Sequence, residues 1–137
     1  MWFTYALLSA LFAALTAIFA KIGIKGVDTD LATAIRTVVI LFLAWGVAFF
    51  RGGTNSIGTL TKQNLLFLIL SGIATGLSWI FYYKALQIGK VSQVAPVDKA
   101  SVAIAVLLSV IFLGETLTLK MAAGAALIIA GTFILAL

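Results

Sequence analysis

Five long apolar stretches alternate with short polar breaks along the chain. Each stretch holds roughly 20 mostly apolar residues, the length that a helix needs to cross the hydrocarbon core of a bilayer. The pattern predicts an all-α membrane protein whose five transmembrane helices span residues 2–21, 31–50, 65–87, 92–113 and 118–136. The breaks are too short to fold as separate domains, so we expect residues 1–137 to form a single transmembrane domain.

The polar breaks carry residues that are typical of helix ends. Residues 28–30 (Asp-Thr-Asp) offer an N-cap for helix two, and Ser92 offers one for helix four. Pro96 then falls in or just after the first turn of helix four, where its missing N–H costs little. Residues 51–64 form the only long polar break, which we expect to be an exposed loop.

The composition supports membrane insertion and excludes several classes of chemistry. The chain is 64% apolar and 9% charged, with a mean hydropathy of +1.24, so it cannot cover a water-exposed surface. It has no Cys, no His and no phosphate-binding Gly-rich loop. No nucleophile–base pair and no basic run is present. We therefore expect no enzyme activity, no cofactor or metal and no nucleic-acid partner.

Four ionisable residues lie inside the apolar stretches: Arg36, Lys84, Asp98 and Lys99. Such groups are costly at membrane depth and are a functional hypothesis by default. With five spans, the first and third breaks emerge on the same side, so all four residues should lie near one end of the bundle. Lys84 and Asp98 are each seven residues from Val91, the middle of the turn, and a Lys84–Asp98 ion pair is expected.

Two interpretations of these charges stay open. The basic side chains can extend their head groups to the nearby interface while Asp98 is neutralised locally. Alternatively, three bases and one acid form a binding site with excess positive charge, suited to an anionic or zwitterionic substrate. Trp79 and Tyr83, on one face of helix three, would then be its walls, with Arg36 as an electrostatic partner.

Small and polar residues recur along one side of helix four. Asp98, Ser101, Ala105 and Ser109 follow at spacings of three and four residues, so they share one face. A stripe headed by an acid suits the wall of a substrate pathway, and tight helix packing explains it equally well.

Two glycine pairs are spaced for close helix contact. Gly72 and Gly76 lie four residues apart in helix three, and we expect them to pack against a neighbouring helix or to line a moving contact. Gly124 and Gly131 lie seven residues apart in helix five. We prefer a contact between subunits for this second pair.

The distribution of basic residues sets the orientation only weakly. The shallow bases number three on each side of the membrane, and counting the deeper ones favours the side of the first and third breaks. The positive-inside rule then puts the N-terminus outside and the C-terminus in the cytoplasm. The near tie leaves dual insertion open.

Three stretches of the second half carry a family resemblance. Residues 82–102 (YYKALQIGKVSQVAPVDKASV), 107–118 (LLSVIFLGETLT) and 124–135 (GAALIIAGTFIL) resemble the second half of an EamA domain. That domain is the repeat unit of the drug/metabolite transporter superfamily. The features that match are the Ala85-Leu86 pair, Pro96, Gly114-Glu115 and the spaced Gly124 and Gly131.

The resemblance implies a half-transporter. Most members have ten spans in two repeats of opposite orientation, whereas this chain has one repeat and is similar to the short five-span bacterial and archaeal members. A homodimer, parallel or antiparallel, would complete a central pathway. The resemblance implies a secondary transporter of small polar or charged metabolites in the cytoplasmic membrane. The alternatives are a flippase for a lipid-linked phosphate-bearing intermediate and a non-transporting membrane assembly subunit.

Overall fold

The structure, a computed structural model, describes all residues 1–137, of which 86% are helical and none are in strands. The expected all-α class is thus confirmed. In chain order the elements are α1 (Trp2–Gly23), α2 (Thr29–Phe50), a 3₁₀ helix (Gly53–Thr59), α3 (Lys62–Ile88), α4 (Val91–Lys99), α5 (Ser101–Leu113) and α6 (Leu119–Ala136).

Five helical segments are long and apolar enough to cross a membrane, as the sequence predicts. Segments α1, α2, α3 and α6 each count as one, and α4 with α5 counts as a fifth at Val91–Leu113. The 22 residues of α2 measure about 33 Å, which matches a hydrocarbon core of about 30 Å. Large apolar side chains along the spans are exposed, as lipid-facing side chains are.

The structure corrects three details of the helix ends. Asp28 alone caps α2, through bonds of its carboxylate to the N–H groups of Asp30 and Leu31. Lys90, and not Ser92, precedes the first turn of α4, and no side chain caps that helix. The polar break at 51–64 contains the 3₁₀ helix, so it is more regular than the loop we expected.

The chain divides into two compact units. Unit 1 comprises Met1–Lys21 and Ile88–Leu137, and it holds α4, α5, α6 and nearly all of α1. Unit 2 comprises Ile22–Gln87, which is α2, the 3₁₀ helix and nearly all of α3.

Unit 2 is tied together where α2 begins and α3 ends. The Gln87 side chain donates a hydrogen bond of 3.1 Å to the carbonyl of Val27. The buried side chains of this unit are found in the same region: Ile24, Thr29, Thr33, Tyr83 and Leu86. The first turns of α2 and the last turns of α3 therefore lie side by side.

Unit 1 is organised around α6, which packs against both α4 and α5. The Gln93 side chain on α4 lies 3.4 Å from the carbonyl of Ala136, to which it donates. Lys21, in the last turn of α1, donates to the carbonyl of Gly89 at 2.8 Å. Gly114 ends α5 in the left-handed region, with φ of 68°, which allows the sharp turn into α6.

The predicted fourth helix is interrupted at Ala100. Pro96 is the sixth residue of α4, just after its first turn as we expected, and α4 ends three residues later. The Ala100 N–H bonds to Val97, three residues back. The carbonyl of Pro96 instead accepts the hydroxyl of Thr132 on α6, at 3.1 Å. Proline disfavours a regular helix, and a side chain from α6 satisfies the carbonyl.

Candidate functional site

Arg36 is held inside unit 2 by two aromatic rings of α3. Its guanidinium carbon lies 4.2 Å from the centre of the Trp79 ring and 5.4 Å from that of Tyr83. Tyr83 is only 4% exposed, and Arg36 and Trp79 are half-buried. Both distances are within the range of cation–π attraction, about 6 Å. The structure thus brings together three of the residues that we predicted for a substrate pathway.

The position of the Arg36 head group argues against extension to the interface. Arg36 lies seven residues into α2, or about 10 Å along the helix axis. Trp79 lies nine residues before the end of α3, or about 13 Å from that end. Since the guanidinium contacts Trp79, the side chain does not run outward from its own turn. Stacking on aromatic rings is therefore what holds this cation.

Lys84 also lies in unit 2, where its partner is Asp30. The Lys84 Nζ is 3.7 Å from the Asp30 Oδ1, and the two side chains are 55% and 60% exposed. An ion pair so exposed contributes little to stability. The predicted partner, Asp98, belongs to unit 1, so a Lys84–Asp98 pair stays a prediction.

Asp30 is the residue that sequence reasoning missed. We treated it as part of a helix cap, whereas Asp28 makes both cap bonds and leaves the Asp30 carboxylate to Lys84. The sequence does contain an indication of this pair, because Asp30 lies in the first turn of α2 and Lys84 lies in the last turns of α3. Two breaks on the same side of the membrane bring those ends together.

A ladder of threonines on α2 was also missed. The hydroxyl of Thr33 donates to the carbonyl of Thr29, and that of Thr37 donates to the carbonyl of Thr33, each at 2.8 Å. Thr29 and Thr33 are buried. Their spacing of four residues marks one helix face, and the bonds satisfy the hydroxyls within α2 itself.

Asp98 and Lys99 pair with each other at the end of α4. The Lys99 Nζ lies 3.2 Å from the Asp98 Oδ2, and the Asp98 side chain is 33% exposed. We expected both residues near the N-terminal end of the fourth span. They are the eighth and ninth residues of Val91–Leu113, next to the interruption at Ala100.

The predicted polar stripe is not on one continuous helix. Asp98 is on α4, whereas Ser101 and Ser109 are on α5, beyond the break at Ala100. Ser101 is exposed, and the hydroxyl of Ser109 donates to the carbonyl of Val106 at 2.9 Å. Whether these residues line a substrate pathway stays a prediction.

The four glycines that we singled out have open space beside them. A Cβ built at Gly72, Gly76, Gly124 or Gly131 meets no atom within 4 Å. Within unit 2 no atom contacts these positions of α3, and the helix contact that we expected at Gly72 and Gly76 stays a prediction. A contact with a second subunit at Gly124 and Gly131 stays a prediction.

The structure contains no group of three or more Asp, Glu, His or Cys side chains that could hold a metal ion. Unit 2 thus holds an arginine on aromatic rings and a lysine–carboxylate pair. Groups of these kinds are able to bind a charged solute and orient it.

Comparisons with known proteins extend over the whole chain. The model of a family described as the EamA-like transporter family matches residues 1–137. The chain is 46% identical over 135 residues to an uncharacterized transporter in the cobO 3' region of a Sinorhizobium species, a match that covers 98% of this chain and 96% of the relative. It is also 39% identical over 79 residues to an uncharacterized protein of Methanocaldococcus jannaschii, covering 57% of this chain and 58% of that protein. No solved structure matches.

Proposed function

The chain belongs to the EamA-like transporter family, and from this premise we propose that it is a secondary transporter of small polar or charged metabolites. The resemblance that the second half of the sequence carries is confirmed by the family match. Family and helices together make this a multi-pass membrane protein. We assign it to the cytoplasmic membrane, and we propose that it moves its solute without any covalent step.

The observation that carries the proposal is Arg36 on its aromatic rings. A guanidinium at membrane depth costs several kcal/mol unless it faces a partner, a cavity or water. This one lies over Trp79 with no carboxylate attached to it. Because no acid of the chain pairs with the Arg36 guanidinium to offset that cost, this cation is suited to bind a charged solute. Lys84, on the same helix as Trp79, adds a second basic group. We call Arg36, Trp79, Tyr83 and Lys84 the cluster in unit 2.

We propose that two copies form the transport pathway. The chain holds one repeat of five spans, and transporters of inverted-repeat design enclose their site between two such halves that rock against each other. The open space beside Gly124 and Gly131 on α6 supports a close approach of a second copy there. Asp98, Lys99, Ser101 and Ser109 would line the pathway together with the cluster in unit 2.

Flux in proteoliposomes tests this function. A metabolite panel is first screened by thermal stabilisation of the purified protein, and the stabilising solutes are then assayed for uptake. Lys84→Ala and Asp98→Asn should each lower the uptake, whereas Lys62→Ala, at the opposite end of α3, should leave it unchanged. If both pathway variants keep the uptake of the wild type, these residues do not line the pathway.

A flippase for a lipid-linked phosphate-bearing intermediate is the second candidate. It is favoured by two basic side chains, Arg36 and Lys84, in one unit near the end of α3, because a phosphate head group suits such a pair. Phospholipid or glycolipid that co-purifies with the wild type, and is lost in Arg36→Ala, would favour this function.

A chain that shows no flux and forms a stable complex with another membrane protein would instead be an assembly subunit.

A further inference from the structure

We propose that Arg36 binds the anionic group of a small, soluble organic monoanion whose apolar body lies against Trp79. This inference rests on the proposed transport function and specifies the substrate class of the cluster in unit 2. Three observations carry it, namely the charge balance of the chain, the contacts of the guanidinium and the surroundings of Trp79.

The acids with side-chain contacts are already committed to other partners. Asp28 accepts the backbone N–H groups at the start of α2, and Asp30 pairs with Lys84. Asp98 pairs with its neighbour Lys99, and Glu115 lies in the turn after α5. Neither ion pair of the chain includes Arg36. Of the three bases that the sequence places deep in the spans (Arg36, Lys84 and Lys99), it is the one without an acid partner, so it can take one negative charge from a ligand.

The contacts of the guanidinium leave its hydrogen-bonding capacity unused. An arginine carries five N–H donors in one plane, in a fork that fits a carboxylate or phosphate through two parallel bonds. The rings of Trp79 and Tyr83 stabilise its charge, and they accept no such pair of bonds. Arg36 is only half-buried, so a ligand can reach it. The rings fix the orientation of the fork and leave its donors to the ligand.

The surroundings of the guanidinium favour an anion with an apolar body. Tyr83 is buried, and it supports the guanidinium from within the unit. Trp79, whose ring contacts the guanidinium, is half-buried, so part of this residue is accessible to a ligand. Arg36 lies about 10 Å along a helix that we assign to the membrane, where an apolar medium would strengthen a paired charge and favour an apolar group next to it. An inorganic anion would gain only the first of these contacts.

A lipid head group carries the same anionic chemistry, so the experiment separates the two sources. The Trp2→Phe/Trp45→Phe background leaves Trp79 as the one tryptophan of the chain. This protein, in nanodiscs of phosphatidylcholine, is titrated with benzoate, benzyl alcohol and benzylammonium while the emission of Trp79 is recorded. A second set of nanodiscs contains phosphatidylglycerol. Arg36→Gln and Arg36→Lys are compared with Arg51→Gln, which removes the other arginine of unit 2, at the far end of α2.

The expected result is saturable binding of benzoate with little response to the two other probes. Arg36→Gln should weaken benzoate binding at least tenfold, Arg36→Lys should weaken it by less, and Arg51→Gln should leave it unchanged. The comparison among probes needs no variant, so it stands even if Arg36→Gln does not fold.

Three results would overturn the proposal. The first is an equal response to benzoate and benzyl alcohol, and the second is binding of benzoate by folded Arg36→Gln within twofold of the wild type. The third is a response to phosphatidylglycerol alone, which would make the anion a lipid head group. Because binding is read without flux, loss of transport with benzoate binding intact would refute only the transporter. Flux of a neutral or cationic solute without benzoate binding would refute only the anion site.

Discussion

The two ion pairs of the chain are built in different ways. In unit 2, Lys84 meets Asp30 across two helices, beside an arginine that lies on aromatic rings. In unit 1, Lys99 meets Asp98, its neighbour in sequence, in the last turn of a short helix. The first pair exists only because the fold brings α2 and α3 together, whereas the second needs no tertiary structure.

The two units also differ in the polar contacts that their other side chains make. In unit 1 they run from side chains to backbone carbonyls, as in the bond from Thr132 to Pro96 and the bond from Gln93 to Ala136. These bonds satisfy backbone groups near a broken helix. In unit 2 the guanidinium of Arg36 meets only rings and keeps its donors. The comparison teaches that unit 2 holds a guanidinium whose donors are free for recognition. The bonds from Thr132 and Gln93 in unit 1 maintain the fold.

The largest effect is expected from removal of the unpaired cation. In proteoliposomes, Arg36→Gln should lower the uptake of a benzoate-like anion at least tenfold, because no other guanidinium of unit 2 lies on aromatic rings. Lys99→Gln should lower it by at most about threefold, since Lys99 already has its own carboxylate. Radiolabelled uptake measures both variants. A larger effect of Lys99→Gln than of Arg36→Gln would reverse the roles that we give to the two units.

A smaller effect is expected when the ring beneath Arg36 is removed. Trp79→Leu removes the ring that holds Arg36 and that we assign to the apolar body of the ligand. The affinity for benzoate should fall by roughly twofold to thirtyfold, which corresponds to about 0.5–2 kcal/mol. Equilibrium dialysis with labelled benzoate measures the affinity without a tryptophan signal. Trp45→Leu, in the C-terminal half of α2, serves as the matched control. Equal losses in the two variants would show that the indole acts only through general packing.

For unit 1, the expected effect is on stability. Thr132→Val removes the hydroxyl that bonds to the Pro96 carbonyl, which should cost about 1 kcal/mol in the free energy of unfolding. Thr132→Ser keeps the hydroxyl and should lose less. Thr75→Val, whose hydroxyl bonds within its own helix, is the control. Reversible unfolding in mixed detergent and SDS gives the values. Loss of benzoate affinity in folded Thr132→Val would contradict the division of roles.

The smallest effect is expected for the Lys84–Asp30 pair. Because both side chains are more than half exposed, a double-mutant cycle of Lys84→Ala and Asp30→Asn should give a coupling below about 1 kcal/mol in unfolding. The same detergent titration measures it. A coupling of several kcal/mol would mean that this pair, like the bond from Thr132, maintains the fold.

Much of the fold could be predicted because bilayer thickness fixes helix length. Five apolar stretches gave five spans with ends within a few residues of those seen. The break at Ala100 could not be foreseen in the same way. Pro96 was visible, but the hydroxyl that takes over its carbonyl comes from Thr132, far along the chain. The bond from Thr132 therefore could not be predicted from the fourth apolar stretch alone.

The sequence predicted which residues form the candidate site, but not which side chains they contact. Arg36, Trp79, Tyr83 and Lys84 stand out because charge and aromatic rings are conspicuous inside apolar stretches. Their pairing depends on side-chain reach and on helix rotation, which spacing along one chain does not fix. Asp30 was therefore assigned to a cap that Asp28 alone makes.

Photolabelling with 4-azidobenzoate tests the central claim most directly, because it shows where a small anion binds. After irradiation in nanodiscs, mass spectrometry of the digested protein locates the modified residues. We predict labelling around Trp79 and Arg36, protection by excess benzoate but not by benzyl alcohol, and loss of labelling in Arg36→Gln. Labelling that leaves Arg36 and Trp79 unmodified, or labelling that benzoate does not prevent, would contradict the account.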